Sequence, residues 1–270
     1  MNHPFTIAKS NGLEFPLRTS LFWQHNGKAR STWDYLAQDA AAYNPALSAK
    51  QAEYNCNAMT SMIYNMVDPF RAVANPFVGK PTAKAVMAGM DKWDLDECAR
   101  WVKLLQPFTD PRLAFIPCIF CGDDAETTRN EAFQEYVLPA FCLGLNQFSK
   151  GYIISSEASK SMGIALQERM IERMRKHTKL PIGVHNQGWQ IAGNADFLCY
   201  EFSWHPSTGN NRSVAEVIAE AKKVLASYPG YVWFQEINTD NESNMAREQA
   251  RALREFAKTE PRIIGLPGPM

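Results

Sequence analysis

The sequence predicts an α/β fold of the (β/α)8, or TIM-barrel, type, and three features support this prediction. Eight short runs of β-branched and aromatic residues recur along the 270 residues, with helix-like segments between most of them. Most of the runs end in polar residues, as barrel strands do at the face that carries active sites. Neither a G-x-G-x-x-G motif nor a P-loop follows the first run, which disfavours an open doubly wound sheet and gives no reason to expect a cofactor.

The strands and their connections can be placed along a chain that we expect to form one domain over residues 1–270. A polar lead-in over residues 1–18 comes first, and a Pro- and Gly-rich loop over 69–92 is expected to lie over the barrel mouth. No eighth helix is predicted after the last strand, so the lead-in or another chain would cover that side. The predicted strands cover residues 19–26, 58–67, 113–121, 151–157, 181–186, 196–204, 231–237 and 262–266. The predicted helices follow the capping residues Ser31 or Thr32, Asp94 and Ser213, and cover 129–148, 162–177 and 243–258.

The charge balance points to an uncharged partner. Lys and Arg together number 28, as do Asp and Glu, so the formal net charge is zero and no basic excess indicates a nucleic-acid partner. No apolar run approaches the roughly 18–20 residues of a membrane span. The N-terminus lacks the features of a signal peptide, so a cytoplasmic protein is expected, with secretion or release by lysis left open. A carbohydrate substrate fits this composition, with a homo-oligomer or a larger assembly left open.

The six cysteines are expected to be core residues, because a chain of this length does not need disulfides and buried Cys is common. Cys118 and Cys121 form a C-x-x-C, but they lie within a predicted strand. Positions three apart on a strand point to opposite faces, which disfavours a metal or redox site. No metal site is therefore predicted.

Two glutamates are the leading candidates for catalysis, because each ends a predicted strand. On the fourth strand, alternation puts Ile153 and Glu157 on one face; on the seventh, it puts Val232, Phe234 and Glu236 on one face. Two carboxyls at the barrel mouth could act as acid and nucleophile on a glycosidic bond. Polar and aromatic residues near the strand ends are the predicted substrate-binding residues: His25, Asn26, His185, Asn186, Trp189, Glu201, Trp204, His205 and Asn238.

This arrangement resembles the clan A glycoside hydrolases, whose fourth-strand glutamate is the acid/base and whose seventh-strand glutamate is the nucleophile. The resemblance implies these roles for Glu157 and Glu236, and a retaining mechanism. The chain departs from the family at two positions. Ser156 stands where the family usually has Asn before the acid/base, and Leu266-Pro267 stands where a Trp often ends the eighth strand.

Other interpretations remain open at this stage. The chain could be a non-catalytic carbohydrate-binding or structural barrel of a larger assembly, and Glu157 could simply cap the helix after its strand. Glu201 could form a buried ion pair instead of binding substrate. A metal-dependent hydrolase would need several His at strand ends, whereas the first strand offers only His25.

Overall fold

A computed structural model describes residues 2–21, 57–60, 62–64, 75–202, 212–237 and 244–267. Within these ranges nine strands pair in parallel in one sheet, in the order β3-β2-β1-β9-β8-β7-β6-β5-β4. Consecutive parallel strands need crossover connections, and helices supply most of those that the structure describes. The strands are β1 Leu17–Leu21, β2 Ala58–Thr60, β3 Ala114–Phe115, β4 Cys118–Cys121, β5 Tyr152–Ser156, β6 Ile182–Asn186, β7 Phe197–Glu201, β8 Tyr231–Glu236 and β9 Ile263–Pro267.

The nine strands occupy the eight predicted positions, because the third predicted strand is divided in two. Residues Ile116 and Pro117 separate β3, which pairs with β2, from β4, which pairs with β5. The backbone N–H of Ile63, just beyond β2, donates to Cys118 O at 2.9 Å, so β4 also approaches the β2 segment. Both ends of the strand order thus belong to one continuous segment, which is the arrangement of a barrel. The predicted TIM-barrel fold is confirmed, and its fourth and seventh strands are β5 and β8.

Helices pack on the outside of the sheet over the larger of two apolar clusters. Their starts follow the capping chemistry in the sequence: the Asp94 side chain accepts from Glu97 N, and Ser213 forms a capping box with Glu216. Capping residues in the sequence therefore mark where these helices begin. The helices are α1 Thr6–Ser10, α2 Ala83–Met87, α3 Leu95–Leu105, α4 Ala125–Arg129, α5 Glu131–Leu145, α6 Ile164–Arg175, α7 Val214–Ser227 and α8 Asn244–Ala257.

The N-terminal lead-in closes the base of the barrel. Phe5 packs in the inner apolar cluster, with its ring centroid 5.5 Å from that of Phe197, the first residue of β7. The His3 ring lies 5.3 Å from that of Tyr231, which begins β8. Since both contacts are at the N-terminal ends of strands, the lead-in lies at the base of the barrel. The opposite end, where the active sites of such barrels lie, is left for polar residues.

The C-x-x-C cysteines are core residues, as predicted, but the expectation that they point to opposite faces is wrong. Cys118 and Cys121 are both fully buried in the inner cluster, and not on opposite faces. The alternation expected for one long strand is therefore lost in the short β4. Burial raises the pKa of Cys118 far above its usual range, so this thiol stays protonated at neutral pH.

The predicted loop over 69–92 is described from residue 75 onwards, where it contains the short helix α2. Phe77, Ala83 and Val86 of this stretch are buried in the outer cluster. In its described part, the segment therefore adds to the packing around the barrel. None of the helices in the described ranges combines the length and apolar character that crossing a bilayer requires.

Candidate active site

Glu157 follows β5 directly, at the C-terminal end of the strand, and its backbone is left-handed with φ 41° and ψ 47°. For a residue other than Gly, this conformation costs on the order of 1–2 kcal/mol, so the surroundings must hold it. Its side chain is 13% exposed. Although Glu157 precedes the helical turn Ala158–Lys160, the structure gives no side-chain capping hydrogen bond from Glu157 to this turn.

Gly122, just after β4, allows the backbone of Glu157 to come close. Its N–H donates to Ser156 O at 2.8 Å. A Cβ atom at this position would lie 2.2 Å from Glu157 O and 2.5 Å from Ser156 O. Because both are backbone atoms, no side-chain rotation could relieve the clash. Gly122 therefore fixes the spacing between the ends of β4 and β5.

We expect Gly122→Ala to lower the free energy of unfolding by about 1–3 kcal/mol, the usual scale of overpacking, and to displace Glu157. Gly144→Ala is the matched control, since Gly144 is exposed within α5 and a Cβ there meets nothing within 4 Å. That substitution should stabilise the protein by about 0.5–1 kcal/mol through helix propensity. Urea unfolding of both variants measures the difference, and equal effects would contradict the close contact.

Lys160 bridges two carboxylates at this end of the barrel. Its Nζ lies 2.7 Å from Glu157 Oε2 and 3.0 Å from Asp123 Oδ1. Burial lowers the pKa of Lys160, but the hydrogen bonds to Glu157 and Asp123 outweigh it, and the net pKa is raised. Because the pKa of Lys160 is raised above its ordinary value of 10.5, its side chain is positively charged at any pH below 10.5. Lys160 is therefore a cation at neutral pH, with its Nζ 2.7 Å from Glu157 Oε2.

His185 lies next to the backbone of Glu157, and Glu201 lies next to His185. The backbone N–H of Glu157 donates to His185 Nδ1 at 2.8 Å. On the other side of the ring, His185 Nε2 lies 4.0 Å from Glu201 Oε2, and Gln187 Nε2 donates to Glu201 Oε1 at 3.1 Å. His185 is 2% exposed and Glu201 6% exposed. Glu201 is thus a buried carboxylate that accepts from Gln187 and faces His185.

The parity expected for β8 is wrong. Val232 and Phe234 belong to the outer cluster, whereas Trp233 fills the barrel interior. The pairing of β7 with β8 shifts register after Tyr200, so that Glu201 stands opposite Glu236. An irregularity of this kind interrupts simple alternation. The separation of the Glu157 and Glu236 carboxyls lies outside what the structure describes.

Asn186 and Trp189 take different positions beside this group. The Asn186 side chain is buried and accepts from Ser159 Oγ and from Gln187 N, so it holds the turn after Glu157. Trp189 is half-buried and lines a cavity of about 400 Å³. Lys223 Nζ lies 5.4 Å from the centre of its ring. Trp189 therefore borders an open space.

The cavity beside Trp189 also has a polar wall. The Tyr200 hydroxyl donates to Glu220 Oε1 at 2.7 Å, and Arg212 pairs with Glu220. Burial and the Glu220 carboxylate raise the pKa of Tyr200, so its hydroxyl stays protonated and donates at any physiological pH. The wall thus presents fixed hydrogen-bonding groups next to an aromatic face.

The remaining predicted residues lie outside the described part of the chain: His25, Asn26, Trp204, His205 and Asn238. Within the described ranges, no group of three or more His, Cys, Asp or Glu side chains is arranged to hold a metal ion.

Sequence reasoning missed Lys160 and Gln187 as members of the group. Lys160 follows Glu157 by three residues, a spacing that brings side chains together on a helical turn and could have drawn attention to it. Gln187 directly follows the β6 residues that were chosen. Asp124, in contrast, caps α4 through Thr127, which is a structural role.

Comparisons with known proteins agree with the barrel. No protein-family model matches the chain, and no curated protein matches it in sequence. Solved structures do match. A β-glucosidase from Pyrococcus furiosus has a TM-score of 0.58 at 9% identity, over 96% of this chain and 87% of its own.

Two further solved structures give the same result. An endoglucanase from Pseudomonas stutzeri has a TM-score of 0.58 at 10% identity, over 92% of this chain and 83% of its own. A β-mannanase from Alicyclobacillus acidocaldarius has a TM-score of 0.54 at 13% identity, over 98% and 87%. The resemblance to clan A glycoside hydrolases is thus confirmed for the fold.

Proposed function

We propose that the protein is a retaining glycoside hydrolase in which Glu157 is the acid/base and Glu236 the nucleophile. The observation that supports this most is the position of Glu157. It lies at the mouth end of the fourth barrel strand, in contact with His185 and Lys160, and His185 in turn lies 4.0 Å from Glu201. Glu236 ends the seventh strand, opposite Glu201. The glycosidase names of the similar structures favour the same chemistry.

In this mechanism Glu236 attacks the anomeric carbon, while Glu157 protonates the leaving oxygen and then activates the water that releases the sugar. A carboxylate held by an ammonium group cannot donate a proton. Substrate binding therefore has to move Lys160 away from Glu157, which then takes up a proton from solvent, while Lys160 keeps its second partner, Asp123, at 3.0 Å. The Asp123 carboxylate thus lowers the free-energy cost of separating Lys160 from Glu157.

A screen of chromogenic glycosides and polysaccharides tests the proposal. Aryl β-glucosides and β-mannosides with the matching oligosaccharides come first, because the similar structures include a β-glucosidase, an endoglucanase and a β-mannanase. Proton NMR of the first product then gives the anomeric configuration, and retention is expected. Initial formation of the opposite anomer would contradict the retaining assignment, and the absence of turnover on all substrates would contradict the enzyme.

The contact between Lys160 and Glu157 also favours a second candidate, a non-catalytic carbohydrate-binding barrel. A carboxylate fixed by a cation suits binding of sugar hydroxyls better than proton donation. Calorimetry distinguishes the two functions: a binding module binds an oligosaccharide without cleaving it, and its glutamate variants change only the affinity.

We expect Trp189→Ala to weaken oligosaccharide binding by about 1 kcal/mol, roughly fivefold in Kd, because the half-buried ring borders the cavity. Isothermal titration with cello- and manno-oligosaccharides measures the change. Trp93→Ala is the control, since that ring packs on Phe77 at 4.5 Å on the outside of the barrel. Equal affinities for the two variants would remove Trp189 from the site.

A further inference from the structure

His185, in the middle of the candidate site, lies between two carboxylate residues on different strands. Its strand, β6, is flanked by β5, which Glu157 follows directly, and by β7, which ends at Glu201. We propose that His185 is a positioning residue, held as the neutral tautomer with its proton on Nε2, that fixes the backbone of Glu157 and connects it to Glu201. That the residue thus positioned is the acid/base rests on the proposed function, but the tautomer and the backbone contact do not.

The tautomer follows from the partner of Nδ1. The Glu157 backbone N–H can only donate, and it points at His185 Nδ1 from 2.8 Å. Nδ1 must therefore accept, and an acceptor nitrogen carries no proton. In a neutral imidazole the proton is then on Nε2. An imidazolium ring has no acceptor nitrogen, so it could not make this contact.

The contact matters because the conformation of Glu157 needs support from both sides. Its backbone is left-handed, with φ 41°, and the residue is not a glycine. On the β4 side, Gly122 lies so close that no side chain would fit. On the β6 side, His185 takes up the Glu157 N–H. Of these two supports, only His185 bonds to the amide of Glu157 itself, so its loss should release the residue from its present geometry.

The other ring nitrogen faces the second carboxylate. His185 Nε2 lies 4.0 Å from Glu201 Oε2, and both residues are almost fully buried. Gln187 holds the other oxygen of Glu201, which keeps this carboxylate in place. Glu201 stands opposite Glu236 in the strand register. His185 therefore connects the end of the fourth barrel strand to the residues beside the end of the seventh.

The first test is independent of activity. Long-range proton–nitrogen NMR of the imidazole groups at pH 7 reads the tautomer directly, and only five histidines need assignment. The signal of His185 is the one lost in His185→Asn. We expect the pattern of a neutral ring with the proton on Nε2. A proton on Nδ1, or an imidazolium ring, would overturn the proposal, whether or not any glycoside is hydrolysed.

The second test separates positioning from packing. The Oδ1 of Asn can occupy the place of Nδ1, whereas the Oε1 of Gln reaches the place of Nε2. With the best aryl glycoside from the screen, His185→Asn should keep at least about tenfold more kcat than His185→Gln and His185→Ala, with similar KM for all three. Equal kcat for the Asn and Gln variants would overturn the positioning role. A wild-type protein without turnover contradicts the proposed function alone, because the NMR result still decides the tautomer.

Discussion

Replacing Glu236 with Gln should lower kcat on every hydrolysed glycoside by about 10³-fold or more, because the covalent intermediate of the proposed mechanism can no longer form. The loss should be independent of the leaving group, since the nucleophile takes part in the first step whatever group departs. Steady-state kinetics on aryl glycosides of different leaving-group acidity measure it, with urea unfolding to show that the variant is folded.

Replacing Glu157 should give a different pattern. General acid catalysis typically contributes about 10²–10⁴-fold, but a good leaving group such as dinitrophenolate departs without a proton. Glu157→Gln should therefore lose most of its activity on oligosaccharides and little of the first-step rate on the dinitrophenyl glycoside. The contrast between the two variants assigns the roles.

Glu255→Gln is the matched control, since Glu255 is exposed on α8 and pairs only with Lys258 among the contacts described. It should leave both substrates unaffected. If the Glu157 and Glu236 variants behaved like this control, the pair would not be catalytic, and the binding module would be the better explanation.

The sequence was sufficient for the strand positions, because short apolar runs between turn residues need no long-range information. The division of the third strand was not predicted, although Pro117 lacks the N–H that a continuous β-ladder needs. The parity of β8 was mispredicted because Val232 and Phe234 were assigned the same face as Glu236, whereas the register with β7 shifts between Phe234 and Glu236. Alternation counted along one strand cannot detect such a shift.

In the candidate site, too, some features were predictable from the sequence and others were not. The sequence placed Glu157 at the end of its strand, and the structure has it there. Its left-handed backbone was not predictable, because its support comes from His185, 28 residues further along the chain, and from Gly122 on the preceding strand. The burial of Phe5 in the barrel base likewise depends on Phe197, far away in sequence.

Trp233→Ala should be the most destabilising of these substitutions, lowering the free energy of unfolding by about 3–5 kcal/mol. The indole is fully buried in the inner cluster, with its ring centroid 6.3 Å from that of Phe197. Removing it leaves a cavity that the surrounding strands cannot collapse to fill, because their hydrogen-bonded ladder is rigid. Urea unfolding measures the loss, and Trp189→Ala, in which the lost ring is only half-buried, should cost clearly less.

A double-mutant cycle with Gly265 on β9 shows whether the inner cluster is as tightly packed as the structure has it. A Cβ at Gly265 would lie 2.3 Å from Trp233 Cδ1, so Gly265→Ala alone should be strongly destabilising. With Trp233→Ala, the new methyl group enters the cavity instead, and the same substitution should cost much less. Because the two residues are in contact, we expect a coupling energy of more than about 0.5 kcal/mol. Additive effects of the two substitutions would mean that the Trp233 ring does not lie on Gly265, and the packing of the barrel interior would need a different explanation.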